Sequence, residues 1–267
     1  MRVVEEISLF LAQWNLTLEE SAVSTKTGWT AKVTRQGRPY MLKLSKNAGE
    51  VRALRQYNGE GFIRVIEADK EAFLLERAMP GRPLSELVRQ GKDEEACHIW
   101  CDVVEKLQSQ PDTKEDFPSI ESLAKDFNGP HHTLPHDLIT EAREGMDTLL
   151  KSQSKPILLH GDLHHDNILY DEERGWLAID QQGYKGESAY EVGTFFRNPR
   201  EYPELCLNPE IIKRRLEIIC ERLGFDRKRM VAWGFCQAIL AAIWSVEDGE
   251  NPEWALNTAK VLRKIRL

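Results

Sequence analysis

LLHGDLHHDNILY, from Leu158 to Tyr170, and WLAID, from Trp176 to Asp180, decide how this chain folds. Ile157 to Leu159, Asn167 to Tyr170 and Trp176 to Ile179 read as short apolar strands, and the loops between them are dense in His, Asp and Gly, whose polar atoms must be exposed or paired. Asp162 and Asn167 share one loop, and Asp180 ends the later apolar run. A β-hairpin turning near Glu173 to Gly175 would bring Asp180 back beside them. A proton-accepting carboxylate and hard oxygen ligands for magnesium would then meet in one place, which is what transfer of a phosphoryl group to a hydroxyl needs.

Such chemistry also needs a fixed cation for the phosphates nearest the ribose, and Lys43 inside the β-prone run Tyr40 to Leu44 supplies it. Glu50, at the start of the following helical stretch, is its expected partner. Around this pair the chain alternates short β-prone runs: Ala22 to Lys26, Trp29 to Arg35, Tyr40 to Leu44, Ile63 to Ala68 and Ala72 to Glu76, split by turn signals such as Gln36-Gly37. One helix, Ala48 to Tyr57, interrupts them, and another is expected over residues 3 to 14, where Val3, Val4, Ile7, Phe10, Leu11 and Trp14 recur at helical spacing. The reading is an antiparallel sheet with one inserted helix. HxDxxxxN followed by a hydrophobic-Asp step, with a strand lysine and a helical glutamate upstream, is the spacing of a kinase catalytic loop and its metal-binding aspartate.

After Met79-Pro80-Gly81 the texture turns helical, with helices expected at Leu84 to Gln90, Glu94 to Gln108, Leu138 to Lys151, Glu210 to Leu223, Arg229 to Val246 and Glu253 to Ile265. The boundary is therefore set between residues 78 and 79. Met230 to Val246 is apolar at nearly every position, yet it is at the short limit for a membrane span and reads as the central core helix of a large domain. The formal charge of −7 repels phosphate backbones, so no nucleic-acid partner is expected. Five cysteines without CxxC spacing suit neither a disulfide framework nor structural zinc, and the leading MRVVEEISLFLAQW lacks the features of a secretory signal. A cytoplasmic protein with no membrane association is expected.

LLHGDLHHDNILY and GWLAIDQQGYKGESAYEVG (Gly175 to Gly193), together with the order of features through NPREYPELCLNP and WGFCQAILAAIWSVEDG, resemble the aminoglycoside phosphotransferases, in their streptomycin 6-phosphotransferase and hydroxyurea-resistance kinase branch. The resemblance implies an α+β, protein-kinase-like bilobal fold: a small antiparallel-sheet lobe over residues 1 to 78 and a larger, mainly helical lobe over 79 to 267, with ATP between them. It implies Asp162 as base, Asn167 and Asp180 on Mg2+, Lys43 on the ATP phosphates, and backbone groups from Glu76 to Ala78 toward adenine. The turn Ser24 to Trp29 has a single glycine, so hydroxyls of Ser24, Thr25 or Thr27 are expected at the phosphates with backbone amides. Where that branch usually carries proline after the metal-binding aspartate, this chain has Gln181, which restores a backbone amide.

The expected acceptor is a small, cationic molecule of streptomycin type, since guanidinium groups pair bidentately with carboxylates; Glu187, Glu191, Asp248 and Glu250 are the candidates to meet it. A kinase for hydroxyurea or another small alcohol, and a non-catalytic nucleotide-binding module, are the alternatives. The second conflicts with the intact set Lys43, Glu50, Asp162, Asn167 and Asp180. A dinuclear metal site built on Asp162-Leu163-His164 lacks the further Gly-Asp and Gly-Asn-His loops it requires, so His160 is expected to brace the loop. His164 and His165 are expected at the substrate or in solvent, and His131, His132 and His136 in a solvated connector.

Overall fold

The computed structural model describes residues 2–25, 28–45, 48–69, 72–110 and 112–266. The first part of the chain runs α1 (Arg2–Gln13), β1 (Thr17–Leu18), β2 (Val23–Thr25), β3 (Gly28–Arg35), β4 (Arg38–Ser45), α2 (Ala48–Tyr57), β5 (Val65–Ala68) and β6 (Ala72–Glu76). Its strands pair antiparallel in the order β1-β3-β4-β6-β5, with β2 also on β3. Gln36 and Gly37 both take positive φ, 53° and 76°, as a two-residue hairpin turn requires, and so lock Arg35 opposite Arg38. Along β4, Leu42 and Leu44 pack with Ala31, Val33 and Leu74 into a small core beneath α1. Lys43, between them in sequence, must point to the other face.

The remainder runs β7 (Pro80–Pro83), α3 (Ser85–Arg89), α4 (Asp93–Gln108), a 3-10 turn (Ile120–Asn128), α5 (His136–Lys151), β8 (Ile157–Leu159), β9 (Ile168–Asp171), β10 (Gly175–Ala178), β11 (Tyr184–Gly186), α6 (Val192–Phe196), α7 (Pro203–Cys206), α8 (Pro209–Leu223), α9 (Arg227–Glu247) and α10 (Glu253–Arg266). This is the helical lobe, with two small sheets, β10-β9-β7 and β11-β8, facing the first lobe. The predicted hairpin is present: Gly175 pairs with Asp171 and Ala178 with Ile168. Its turn is stapled by the Asp171 carboxylate, which accepts the amides of Met79, Glu173 and Arg174 at 2.9, 3.1 and 2.9 Å.

Helix α9 is apolar because it is surrounded. It is long and apolar enough to cross a membrane, but 78% of its most apolar window is buried inside the protein, with α5, α6 and α10 around it. The hairpin also joins the lobes. Ala178 exchanges backbone hydrogen bonds with Gly61 and Ile63, and Arg174 reaches the Glu76 carboxylate and the carbonyls of Gly59 and Phe62.

One expectation needed correction, and some elements were not anticipated. Ile63 and Arg64 are not strand residues, because the Ile63 amide is drawn to Ala178 of the other lobe at 3.2 Å. The strands β7 and β11 were not anticipated, since each is a short run with proline or glycine whose pairing partner lies far along the chain. Helix α6 is apolar on every side, and a fully buried five-residue turn carries no periodicity to read.

Arg215 ties α8 to α4 and to the end of α6. Fully buried, it grips Asp93 at 2.6 Å and donates to the carbonyls of Phe195 and Asn198 at 2.9 and 3.0 Å. Replacing Arg215 with Met strands one buried carboxylate and two carbonyls, so urea unfolding of that variant should show a loss of about 3–5 kcal/mol. An unchanged midpoint would mean that these groups do not depend on the guanidinium.

Candidate active site

The cation comes from the sheet and its anions from elements distant in sequence. Lys43 is buried, and its Nζ lies 2.8 Å from Glu50 Oε1 of α2 and 2.6 Å from Asp180 Oδ1. Burial pulls the Lys43 pKa down, but the two carboxylates outweigh it and hold the ammonium above its ordinary value. Burial raises Glu50 despite the ammonium beside it. Asp180, at the end of the hairpin, remains half-exposed on its cleft side.

The loop after β8 is braced from behind. Gly161 takes φ +83°, and its amide donates to both oxygens of Glu191 at 3.1 and 3.2 Å. The His160 ring accepts the Asp162 amide at Nδ1, so Nε2 carries the proton and donates to the Ile179 carbonyl at 2.7 Å. Burial keeps this imidazole neutral, its pKa lowered to about 4. Trp100 Nε1 donates to the Leu163 carbonyl, and Asn167 Nδ2 to the Asp162 carbonyl, both at 2.9 Å. The Asn167 carbonyl accepts the Ile179 amide at 2.9 Å, joining loop to hairpin. Hydrogen bonds thus link Asp162 to Asn167 and Asn167 to the residue before Asp180, while Asp180 meets Lys43.

On its far side Asp162 opens into a cleft of about 450 Å³, whose wall includes Tyr190, Arg197, Trp244, Asp248 and Glu250. Arg197 Nη2 and His164 Nε2 stand 3.9 and 3.8 Å from the Asp162 carboxylate. Surrounding protein raises the Asp162 pKa by desolvation, and His164 and Arg197 partly oppose the rise. Arg200 lies 3.3 Å from Glu250 and over the Trp254 ring.

Among the acidic residues expected at a substrate, Asp248 and Glu250 line this cleft, whereas Glu187 and Glu191 do not. Both of the latter are buried. Glu187 accepts from Arg229 Nε at 2.6 Å, from Trp233 Nε1 and from the Ser154 amide at 3.1 Å. Glu191 lies behind the Gly161 amide, and burial pushes its carboxyl up to about 8. These carboxylates hold the scaffold. His165 is also corrected: it is fully buried and stacked on Phe195 at 4.5 Å, facing neither substrate nor solvent. His131 is not simply solvated, since its Nε2 bonds the Asp126 carbonyl at 2.7 Å.

Ser24 and Thr25 are exposed on β2, opposite Trp29 and Gly28; Thr27 lies outside the described residues. Between the lobes, the Glu76 amide donates to Arg64, while the Ala78 amide has no hydrogen-bond partner among the described residues. Arg197, Arg200, Tyr190, Trp244 and Trp254 were missed. The one signal for Arg197 is a charge directly after the apolar run VGTFF. Among the described residues no group of three or more His, Cys, Asp or Glu is arranged to hold a metal. Asp180, half-exposed, and Asn167, whose amide nitrogen is committed to the Asp162 carbonyl, carry oxygens of the hard type that suits magnesium.

The family model for the aminoglycoside/hydroxyurea antibiotic resistance kinases matches residues 13–249. The chain is 30% identical over 253 residues to the streptomycin 3''-kinase of Klebsiella pneumoniae, covering 90% of this chain and 92% of that one. It is 30% identical over 275 residues to the hydroxyurea phosphotransferase of Kitasatospora aureofaciens, covering 96% and 77%. The crystal structure of aminoglycoside phosphotransferase APH(4)-Ia superimposes with a TM-score of 0.71 at 15% identity, covering 98% of each chain, a likeness of fold. A protein-kinase-like bilobal fold and a family match over most of the sequence lead to one conclusion: this chain belongs to the aminoglycoside/hydroxyurea antibiotic resistance kinase family, a family of phosphotransferases with an alcohol group as acceptor.

Proposed function

We propose that this enzyme transfers the γ-phosphoryl group of ATP to a hydroxyl of a streptomycin-type aminoglycoside, inactivating it, with residues 1 to 78 as the ATP-binding lobe and 79 to 267 as the catalytic and substrate-binding lobe. The observation that carries this reading is the buried Lys43 ammonium, 2.8 Å from Glu50 and 2.6 Å from Asp180. In the mechanism, Asp162 orients the acceptor hydroxyl and takes its proton as the oxygen attacks the γ-phosphorus. The bond to the bridging oxygen breaks in line and ADP leaves. Lys43 meets the phosphates nearer the ribose, with Glu50 holding the ammonium in place. Asn167 and Asp180 would hold magnesium, whose charge offsets that of the phosphates. Backbone groups from Glu76 to Ala78 receive adenine, and Ser24 and Thr25 cover the phosphates.

For the acceptor, the similarity to a streptomycin 3''-kinase at 30% identity supports the aminoglycoside reading. So does a cleft with Asp248 and Glu250 for cationic groups and Trp244, Tyr190 and Trp254 for ring faces. A second reading, a kinase for hydroxyurea or another small alcohol, is favoured by Arg197 and Arg200 in the same cleft, which set two guanidiniums against three carboxylates and suit an acceptor of low charge. The complete set of phosphate-handling side chains argues against a non-catalytic module. All five cysteines are free thiols, which suits the cytosol.

ADP release measured with streptomycin, hydroxyurea and common metabolite alcohols separates these readings. Turnover with streptomycin is expected; turnover only with an uncharged acceptor would establish the second reading, and ATP binding without turnover the third. With the acceptor in hand, Asp162→Ala should lower kcat by roughly 10²–10⁴-fold and leave nucleotide affinity intact. Unchanged turnover would remove Asp162 from its role. The base works ionised, so kcat/KM is lost as pH falls through its raised pKa, and the acid limb should lie above the ordinary aspartate range. Arg197→Met removes a charge that favours the carboxylate and should move that limb to higher pH; Arg197→Lys should move it less.

A further inference from the structure

Behind the ammonium and its two carboxylates lies an amide that phosphoryl transfer does not call on. Gln181 follows Asp180, and the two side chains part company: Asp180 is half-exposed, while Gln181 is fully buried. Asp180 itself takes φ +61°, a left-handed conformation uncommon outside glycine. The Gln181 Nε2 donates to the carbonyl of Glu50 at 2.8 Å. A carbonyl only accepts, so the atom facing it must be the amide nitrogen, and the orientation of the side chain follows.

Two further features mark this contact as more than filling. Gln181 Oε1 is buried without a hydrogen-bond partner among the described residues, a cost that an apolar side chain of the same size would not carry. Two residues on, Gly183 takes φ +72°, and a Cβ there would meet the Gly49 carbonyl oxygen at 3.1 Å and the Ala53 Cβ at 3.2 Å. The segment after Asp180 is therefore pressed against the first turns of α2 at two points. It closes a ring: Lys43 to Glu50 by an ion pair, Glu50 to Gln181 by its carbonyl, Gln181 to Asp180 by the chain, and Asp180 to Lys43 by a second ion pair.

We propose that Gln181 is a positioning residue for the nucleotide site: its amide fastens the first turn of α2 to the Asp180 loop, so that the Glu50-held lysine and the loop carboxylate come into register together. A proline in its place, with neither a side-chain amide nor a backbone N–H, provides no such fastening. Without it, α2 can draw back and take Glu50 from Lys43, leaving the ammonium to Asp180 alone. The effect falls on the nucleotide, because Gln181 has no place on the wall of the acceptor cleft.

The inference rests on the nucleotide reading above, and the experiment separates the two. Wild-type protein, Gln181→Met and Gln181→Asn are compared for thermal unfolding, for affinity toward a fluorescent ADP analogue with Mg2+, and for kcat and both KM values with whichever acceptor the wild type turns over. Methionine keeps the length without the donor, and asparagine keeps the amide but falls short of Glu50. Both folded variants should lose at least tenfold in Mg·nucleotide affinity and in kcat/KM for ATP, with acceptor KM unchanged. Gln181→Met combined with Glu50→Gln should lose less than the product of the single losses, as expected for residues acting through one another. Wild-type nucleotide affinity in either folded variant, or losses that fall on acceptor KM instead, would overturn the proposal. Failure of the wild type itself to bind Mg·nucleotide would instead sink the nucleotide reading.

Discussion

A buried ammonium is the constraint on which the structure turns. Lys43 sits with little exposure on a central strand, where an unpaired positive charge would be costly, and it is tolerated because Glu50 and Asp180 reach it from opposite directions. One partner is 7 positions away on a helix and the other 137 positions away at the end of a hairpin. Satisfying one charge therefore requires α2, the sheet and the β9–β10 hairpin to assemble together. The same assembly leaves a half-exposed aspartate beside a buried cation, the arrangement on which the proposed nucleotide site rests.

The loop after β8 shows a second use of buried polarity. Its backbone could not be held in place by a strand or helix ladder, so its amides and carbonyls are taken up by His160, Glu191, Trp100 and Asn167. Glu187 serves the wall behind it, neutralising Arg229 and receiving Trp233. Carboxylates committed in this way cannot also meet a ligand. The cleft that Asp162 lines is left with Asp162, Asp248 and Glu250 against Arg197 and Arg200, a more balanced charge than the acidic composition suggests.

The sequence made the candidate centre's local arrangement legible because its geometry is local or nearly so. Asp162 and Asn167 share a loop, the hairpin that returns Asp180 has a clear turn, and Lys43 and Glu50 lie on adjacent elements with strong patterns. The apolar run in α9, read as interior, is indeed buried in the protein, although the helix is long and apolar enough to cross a membrane. What could not be read depends on distant pairing. Nothing in the residues near Glu187 announces Arg229, 42 positions on, and an acidic run looks the same whether it faces a ligand or a buried guanidinium. His165 was misjudged for the same reason, as only the folded chain sets it against Phe195. Gln181 stood out as a departure, but its tie to Glu50 is 131 positions long.

The convergence of Lys43, Asn167 and Asp180 on one metal-bound nucleotide is tested most directly by titration calorimetry of the purified chain with ATP, with and without magnesium, in wild type and in Asp180→Ala. The wild type should bind tightly only when magnesium is present, and the alanine variant should lose that magnesium-dependent binding. An Asp180→Ala protein that binds ATP as the wild type does, with the same response to magnesium, would contradict the account.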